Sequence, residues 1–334
     1  MLAIHQRDNS YSAGWIRYCI ENNISYKVVD CFSNDIVEQV KDCDAVLWHF
    51  HHGKRADMSA APRVLRALEH SGVKVFPNRN TSWYFDDKAA QKYLFDALEI
   101  PSINTHVFYD VQSAKEWLDT AQYPLVFKSS SGAGSSGVKL VNTKKKASKQ
   151  AKRSIVHGVS SLNKASIFRD VLSWSFFKNN TLKKYITTCA LLILPRSFFQ
   201  APSNETGVAI FQEYIPDNDS DVRIIVIGDK AFGIRRFVRS NDFRASGSGK
   251  VSYDVSNISK ETVRLSFLIA DKLDSDCCAI DFIYSGDRPR VVEVSYGFSV
   301  DAYKNCAGYW NRDLVFVTDS VDPCGWMIEN VRLG

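Results

Sequence analysis

Residues 291–298 read VVEVSYGF: three valines around one glutamate, then a Ser-Tyr-Gly turn. β-Branched residues at this density form a strand, and the turn residues mark its end. Glu293 therefore sits on an apolar strand, where an unpaired carboxylate is costly. Upstream, CCAIDFIYS (277–285) reads as a second strand, and a Gly-Asp turn at 286–287 joins the two. Antiparallel pairing of this hairpin brings Asp281 close to Glu293. Two carboxylates on one buried face repel unless a cation or a basic side chain offsets them. Mg²⁺, a hard cation that prefers oxygen ligands and accompanies phosphates, meets that need; a buried arginine is the alternative.

Upstream of the hairpin, DVRIIVIGDKAFGIRRFVR (221–239) reads as two strands turning at Gly228-Asp229, and KETVRLSFLIADKL (260–273) as a helix. The N-terminal 80 residues alternate short β-branched or aromatic runs (LAIHQ, SYKVVDC, AVLWHF, VKVFPN) with segments of helical spacing. That alternation predicts a parallel sheet, whose ligands collect at the carboxyl ends of its strands. WHFHHG (48–53) stands at such an end and puts His49, His51 and His52 in a loop, read as an acceptor-binding loop, a metal site or an ordinary polar loop. From Trp83 to Pro101 the pattern is that of an amphipathic helix.

With 334 residues, 45% of them hydrophobic and 24% charged, the chain has the composition of a globular protein of two or three packed layers. The first residues lack a basic n-region and read as a strand, not a signal peptide. The longest apolar run, YITTCALLIL, falls well short of the roughly 18 residues of a membrane helix. Eight cysteines without CxxC spacing favour reduced thiols and a cytoplasmic protein, and Cys277 and Cys278 read as half-buried strand residues. The net charge of +5 is uneven. Residues 144–200 hold nine Lys and three Arg against one acid, Asp170, a net +11 that leaves −6 for the rest.

Further candidates concern phosphate. Lys128 ends the strand PLVFK and precedes SSSGAGSSG, where small residues let backbone N–H groups turn toward an anion. Flanking strands make this loop the tip of a hairpin, a candidate lid; it lacks the GK[ST] order of a Walker loop. Arg236 and Arg244, eight residues apart, carry the planar fork that suits phosphoryl oxygens. Any single arginine here can equally be a solvated surface residue.

In order, Lys88 in DDK, Lys128 before the glycine-rich hairpin, FQEYI, DVR, the two arginines, Asp281 and VEVS resemble the ATP-grasp superfamily over about residues 80–300. The texture is similar to the carboxylate-amine ligase branch that includes the ribosomal-protein glutamate ligases. The resemblance implies an α/β chain: an N-terminal parallel-sheet pre-ATP-grasp domain (1–80), then the two α+β subdomains of an ATP-grasp fold. These are a central one with the lid (81–211, with a basic aromatic insertion at about 144–205) and a C-terminal one with the metal site (212–334). It further implies that Lys88 and Lys128 hold ATP phosphates under a loop that includes Ser135, Ser136 and Gly137. Gln212, Glu213, Tyr214 and Ile215 would line the adenine, with Asp221 at the ribose and Asp219 its rival. Arg236 and Arg244 would steady the transferred phosphoryl group. Asp281, Glu293 and Ser295 would bind one or two Mg²⁺, replaceable by Mn²⁺. Ser295 departs from the asparagine usual in the family, and a hydroxyl is a poorer ligand than an amide carbonyl.

The implied activity is ATP-dependent joining of a small-molecule carboxylate to an amine through an acyl phosphate. The insertion adds Phe168, Trp174, Phe176, Phe177, Tyr185, Phe198 and Phe199 to its lysines. That composition is read as a solvated insertion with a small satellite core, or as a surface for an anionic membrane or a polyanionic acceptor such as a cell-surface glycan precursor, reached by a cytoplasmic protein peripheral to the inner face of the membrane. No nucleic-acid motif is present, and an oligomer is allowed. An ATP-grasp kinase acting on a hydroxyl and a non-catalytic ATP-binding scaffold are the rival readings.

Overall fold

The computed structural model describes residues 1–132, 137–158, 206–239, 242–246 and 248–333. They pack as two units, Met1–His51 with Ala56–Asn104 and Ile215–Gly334, and His52–Arg55 with Thr105–Tyr214.

The first unit opens with β1 (Leu2–His5), α1 (Ser12–Glu21), β2 (Tyr26–Val29), α2 (Ile36–Val40), β3 (Ala45–Leu47), α3 (Arg55–His70) and β4 (Lys74–Phe76). The strands pair in parallel in the order β2-β1-β3-β4, the arrangement that alternating strand and helix signals require. After the short helix α4 (Arg79–Ser82) comes α5 (Lys88–Ala97), narrower than the 83–101 the apolar spacing predicts. Asp87 sets its start by accepting from the backbone N–H groups of Ala89 and Ala90, a cap of about 1 kcal/mol.

The second unit contains β5 (Thr105–Phe108), α6 (Val111–Thr120), β6 (Leu125–Lys128), β7 (Lys139–Val141), α7 (Lys144–Lys152) and β8 (Ala209–Glu213). Its antiparallel sheet runs β5-β8-β6-β7. Leu125, Phe127, Ala209 and Phe211 share a core with Ala114 and Leu118 of α6 and Ala147 and Ala151 of α7.

The first unit resumes with β9 (Ser220–Ile227), β10 (Lys230–Phe237), β11 (Val251–Ser252), α8 (Lys260–Lys272), β12 (Cys277–Ser285), β13 (Arg288–Ser295), β14 (Tyr309–Trp310), β15 (Phe316–Val317) and α9 (Pro323–Leu333). These strands make a seven-stranded sheet in the order β13-β12-β9-β10-β14-β15, with β11 on β10. The sheet has a core on each face. Ile225, Ile227, Phe232, Ile234, Cys277 and Ala279 pack with the N-terminal parallel sheet, while Ile224, Val226, Cys278 and Ile280 pack with α5 and α8. β12 is an interior strand, covered on both sides, so Cys277 and Cys278 are each only 1% exposed and not half-buried.

Candidate active site

Three neighbouring strands of the large sheet change character along one face. β9 runs Ile227 and Ile225 in the core, then Arg223 and Asp221; β10 runs Phe232 and Ile234, then Arg236; β12 runs Cys277 and Ala279, then Asp281. With a side-chain period of two, each strand continues its apolar row into a charge at the same end of the sheet. Antiparallel register sets Asp281 opposite Glu293 on one side and opposite Arg223 on the other, and Asp221 opposite Arg236. A register shift follows the Asp281/Glu293 pair, a bulge of the kind found beside functional sites.

The charges are mutually satisfied. Two of the three guanidinium nitrogens of Arg223 engage Asp281, Nη2 at 2.6 Å. Arg236 forms a fork with Asp221 at 2.6 and 2.8 Å and lies 3.0 Å from Asp281. Burial alone would raise the Asp281 carboxyl, but the guanidiniums of Arg223 and Arg236 outweigh it and hold the group below the usual carboxylate range. Asp221 moves the opposite way: burial raises it despite Arg236, and the negative charge of Asp281 adds to the rise. Both guanidiniums line a cavity of about 150 Å³ together with Ser248, Ser299 and Tyr303.

Glu293 is balanced by a different cation. Lys88, the first residue of α5 and only 7% exposed, has its ammonium 3.2 Å from Glu293 and 3.7 Å from Asp86. The Ser295 hydroxyl donates to the Gly297 carbonyl and accepts from the Gly297 N–H, closing the turn after β13. Arg244 is gripped by Asp242, with its closest nitrogen at 2.6 Å. Among the described residues no group of three or more His, Cys, Asp or Glu side chains could hold a metal. Asp281 and Glu293, opposite each other by register, are the carboxylates that would hold Mg²⁺, with water and phosphate completing its shell; Asp281, both oxygens of which accept from guanidiniums, would exchange one of those contacts for the cation.

In the second unit, Lys128 closes β6 and is 6% exposed. By register Val126, Lys128, Ile210 and Gln212 share the face opposite the helix-packed core, and Gln212 donates to the Thr105 hydroxyl at 3.0 Å. Ser129 N–H bonds the Gly137 carbonyl at 3.2 Å and closes the base of the hairpin. Gly137 has φ +78°, and a Cβ there would lie 2.0 Å from Ser129 Oγ. Gly137→Ala should therefore cost ~1–2 kcal/mol of stability, measurable by urea unfolding. Glu213 and Tyr214 follow on β8 and its end, and Ile215 begins the next stretch of the first unit. Ser135, Ser136 and most of the basic insertion, residues 159–205, lie outside the described residues.

Of the three histidines, His49 stacks on Tyr11, and the His51 N–H is held at 2.7 Å by Asp57, which also takes Arg7. Sequence reasoning singled out Arg236 but missed Arg223, although the DVR motif contains it. The available signal was its place two residues after Asp221, on the same face of a strand.

Residues 195–307 match the RimK-like ATP-grasp domain model, a stretch that contains Arg223, Arg236, Asp281 and Glu293. A RimK domain protein of the ATP-grasp type from Sphaerobacter thermophilus is similar over 100% of this chain and 99% of its own, at 16% identity and a TM-score of 0.57. The D-alanine–D-alanine ligase of Bacillus anthracis, solved with ATP, is similar over 99% of this chain and 95% of its own, at 15% identity and a TM-score of 0.51. A curated relative, the uncharacterized MG012 homolog of Mycoplasma pneumoniae, is 28% identical over 93 residues. That match spans 28% of this chain and about a third, 32%, of the relative. The chain has the ATP-grasp fold. Within that class its similarity is to the RimK-like domain, as the order of its motifs leads one to expect.

Proposed function

We propose that the protein is an ATP-dependent carboxylate–amine ligase that forms an amide or peptide-like bond through an acyl phosphate. The observation that carries this reading is the row Glu293, Asp281, Arg223 beside a cavity walled by Arg223 and Arg236. Two guanidiniums at a small cavity, Arg236 buried and Arg223 half-buried, suit a carboxylate and the phosphoryl group it receives. The donor carboxylate oxygen attacks the γ-phosphorus, the bond to the bridging oxygen breaks, and ADP leaves. The amine then attacks the acyl carbon, phosphate departs, and the amine's proton passes to phosphate or solvent.

Arg236 and Arg244 would meet the charge that develops on the phosphoryl oxygens, and Arg223 would orient the donor carboxylate. Lys128 and Lys88 would hold ATP phosphates, Lys88 exchanging its contact with Glu293 for them. Mg²⁺, held by Asp281 and Glu293, would supply charge neutralisation to the phosphates, and Mn²⁺ would substitute. The main chain at 213–215 and the apolar face with Gln212 would receive the adenine. Asp221 would reach a ribose hydroxyl, with the more exposed Asp219 its rival; the first is paired with Arg236 and the second with Arg235.

The test is ADP and free phosphate release over a panel of acids and amines. Release that requires both partners supports a ligase; phosphate retained on a hydroxyl product would instead indicate a kinase, and tight ATP binding without turnover a scaffold.

A basic surface favours an anionic acceptor or membrane as a second element of the reading. Lys145, Lys149 and Lys152 are exposed and follow i, i+4, i+7 spacing along α7, with exposed Lys146 and Arg153 beside them. No described helix is long and apolar enough to cross a membrane. Association would therefore be electrostatic and salt-sensitive. Reversing Lys145, Lys149 and Lys152 to glutamate should abolish pelleting with phosphatidylglycerol vesicles; an intact protein that never pellets with them removes this element.

A further inference from the structure

The N-terminal parallel sheet is not used by the chemistry above, yet two of its loops grip the turn that ends the carboxylate strand. The sheet order β2-β1-β3-β4 puts its switch point between β1 and β3, and the residues following those two strands include Tyr11 and His49. Tyr11 is 3% exposed. Its hydroxyl accepts from the Phe298 N–H at 2.6 Å and donates to the Phe298 carbonyl at 3.0 Å, with the Tyr296 carbonyl at 3.3 Å beside it. One phenol thus takes up both backbone groups of a single residue.

His49 fixes the phenol in turn. Its ring lies flat on Tyr11, with centroids 3.7 Å apart and planes 6° from parallel, and its Nδ1 accepts the Tyr11 N–H at 3.1 Å. The same loop supplies the Phe50 carbonyl, which accepts from the Tyr296 hydroxyl at 2.6 Å. The other end of the turn leads to the carboxylate strand, since Gly297 bonds the Ser295 hydroxyl through both its N–H and its carbonyl. His49, Tyr11, Phe298, Gly297 and Ser295 form one continuous line of contacts that ends two residues from Glu293.

We propose that Tyr11, held by His49, is a positioning residue for the cation site: it sets the turn after β13 and thereby the orientation of Ser295 and Glu293. This rests on the ligase reading only through the assignment of those carboxylates to a divalent cation. A packing residue would lower stability when altered and leave cation affinity of the folded protein unchanged. A positioning residue changes that affinity at temperatures where the protein remains fully folded.

The test is Mn²⁺ binding, followed by electron paramagnetic resonance with a non-hydrolysable ATP analogue present, on protein shown to be folded by circular dichroism. Tyr11→Phe removes the hydroxyl alone and should weaken Mn²⁺ binding at least fivefold. Tyr11→Phe combined with Ser295→Ala should weaken it little beyond Ser295→Ala alone, because both lie on the same line. Should Tyr11→Phe fail to fold, His49→Asn retains an acceptor for the Tyr11 N–H but loses the stacked ring, and should weaken Mn²⁺ binding in the same sense. Unchanged Mn²⁺ affinity in the folded variant overturns the positioning role while leaving the carboxylate assignment standing. A wild-type protein with no Mn²⁺ site overturns both.

Discussion

Asp281→Ala should destabilise the protein by about 3–5 kcal/mol at neutral pH, the cost of removing one partner from a buried ion cluster. Arg223 would lose its fork partner and Arg236 its contact at 3.0 Å, leaving two guanidiniums to share Asp221. The loss exceeds that of any surface pair because neither arginine can recover full hydration within the sheet. Its pH dependence has a definite sign. The Asp281 pKa is lowered on folding, so its contribution is complete above the ordinary carboxylate pKa of about 4 and declines as the pH falls toward the depressed folded value. Urea unfolding of wild type and variant should therefore show the largest gap above about pH 5 and a shrinking gap below about pH 4. A gap under 1 kcal/mol at pH 7 would mean that the cluster does not hold this face together.

The strands that carry this cluster were legible because their signals are local. CCAIDFIYS coincides with β12, and the Gly228-Asp229 turn separates β9 from β10. Where a boundary depends on one side-chain cap, spacing alone overshoots, as it does for α5, whose start is set by Asp87. The two-residue strands β11, β14 and β15 are too short for periodicity to register. The site divides in the same way. Asp281 and Glu293 could be paired from one hairpin, since a tight turn dictates register. Arg223 could not, because its partner lies on a strand 58 residues away and sequence order does not reveal that β9 inserts beside β12. The Tyr11 to Phe298 contact, 287 residues apart, is still less visible: a buried tyrosine at the start of a helix reads as ordinary core.

Glu293→Gln should part from Asp281→Ala in stability: ADP formation lower by about 10²–10³-fold or more, with stability within about 1 kcal/mol of wild type. The difference follows from the two partners. Glu293 is half-buried, its side chain 26% exposed, and its cation is a single ammonium at 3.2 Å that still has Asp86 at 3.7 Å once the charge is gone. Glutamine keeps the shape of the strand and removes the charge that a divalent cation requires. Ser295→Ala should lower turnover less than Glu293→Gln, because its hydroxyl already serves the Gly297 turn and an alanine leaves both carboxylates in place. Measuring turnover against Mg²⁺ concentration, with urea unfolding on the same preparations, separates the outcomes. A Glu293→Gln protein with wild-type turnover would remove the carboxylate from the cation site. One that loses stability as severely as Asp281→Ala would make Glu293 a structural partner of Lys88, as Asp281 is of the two arginines.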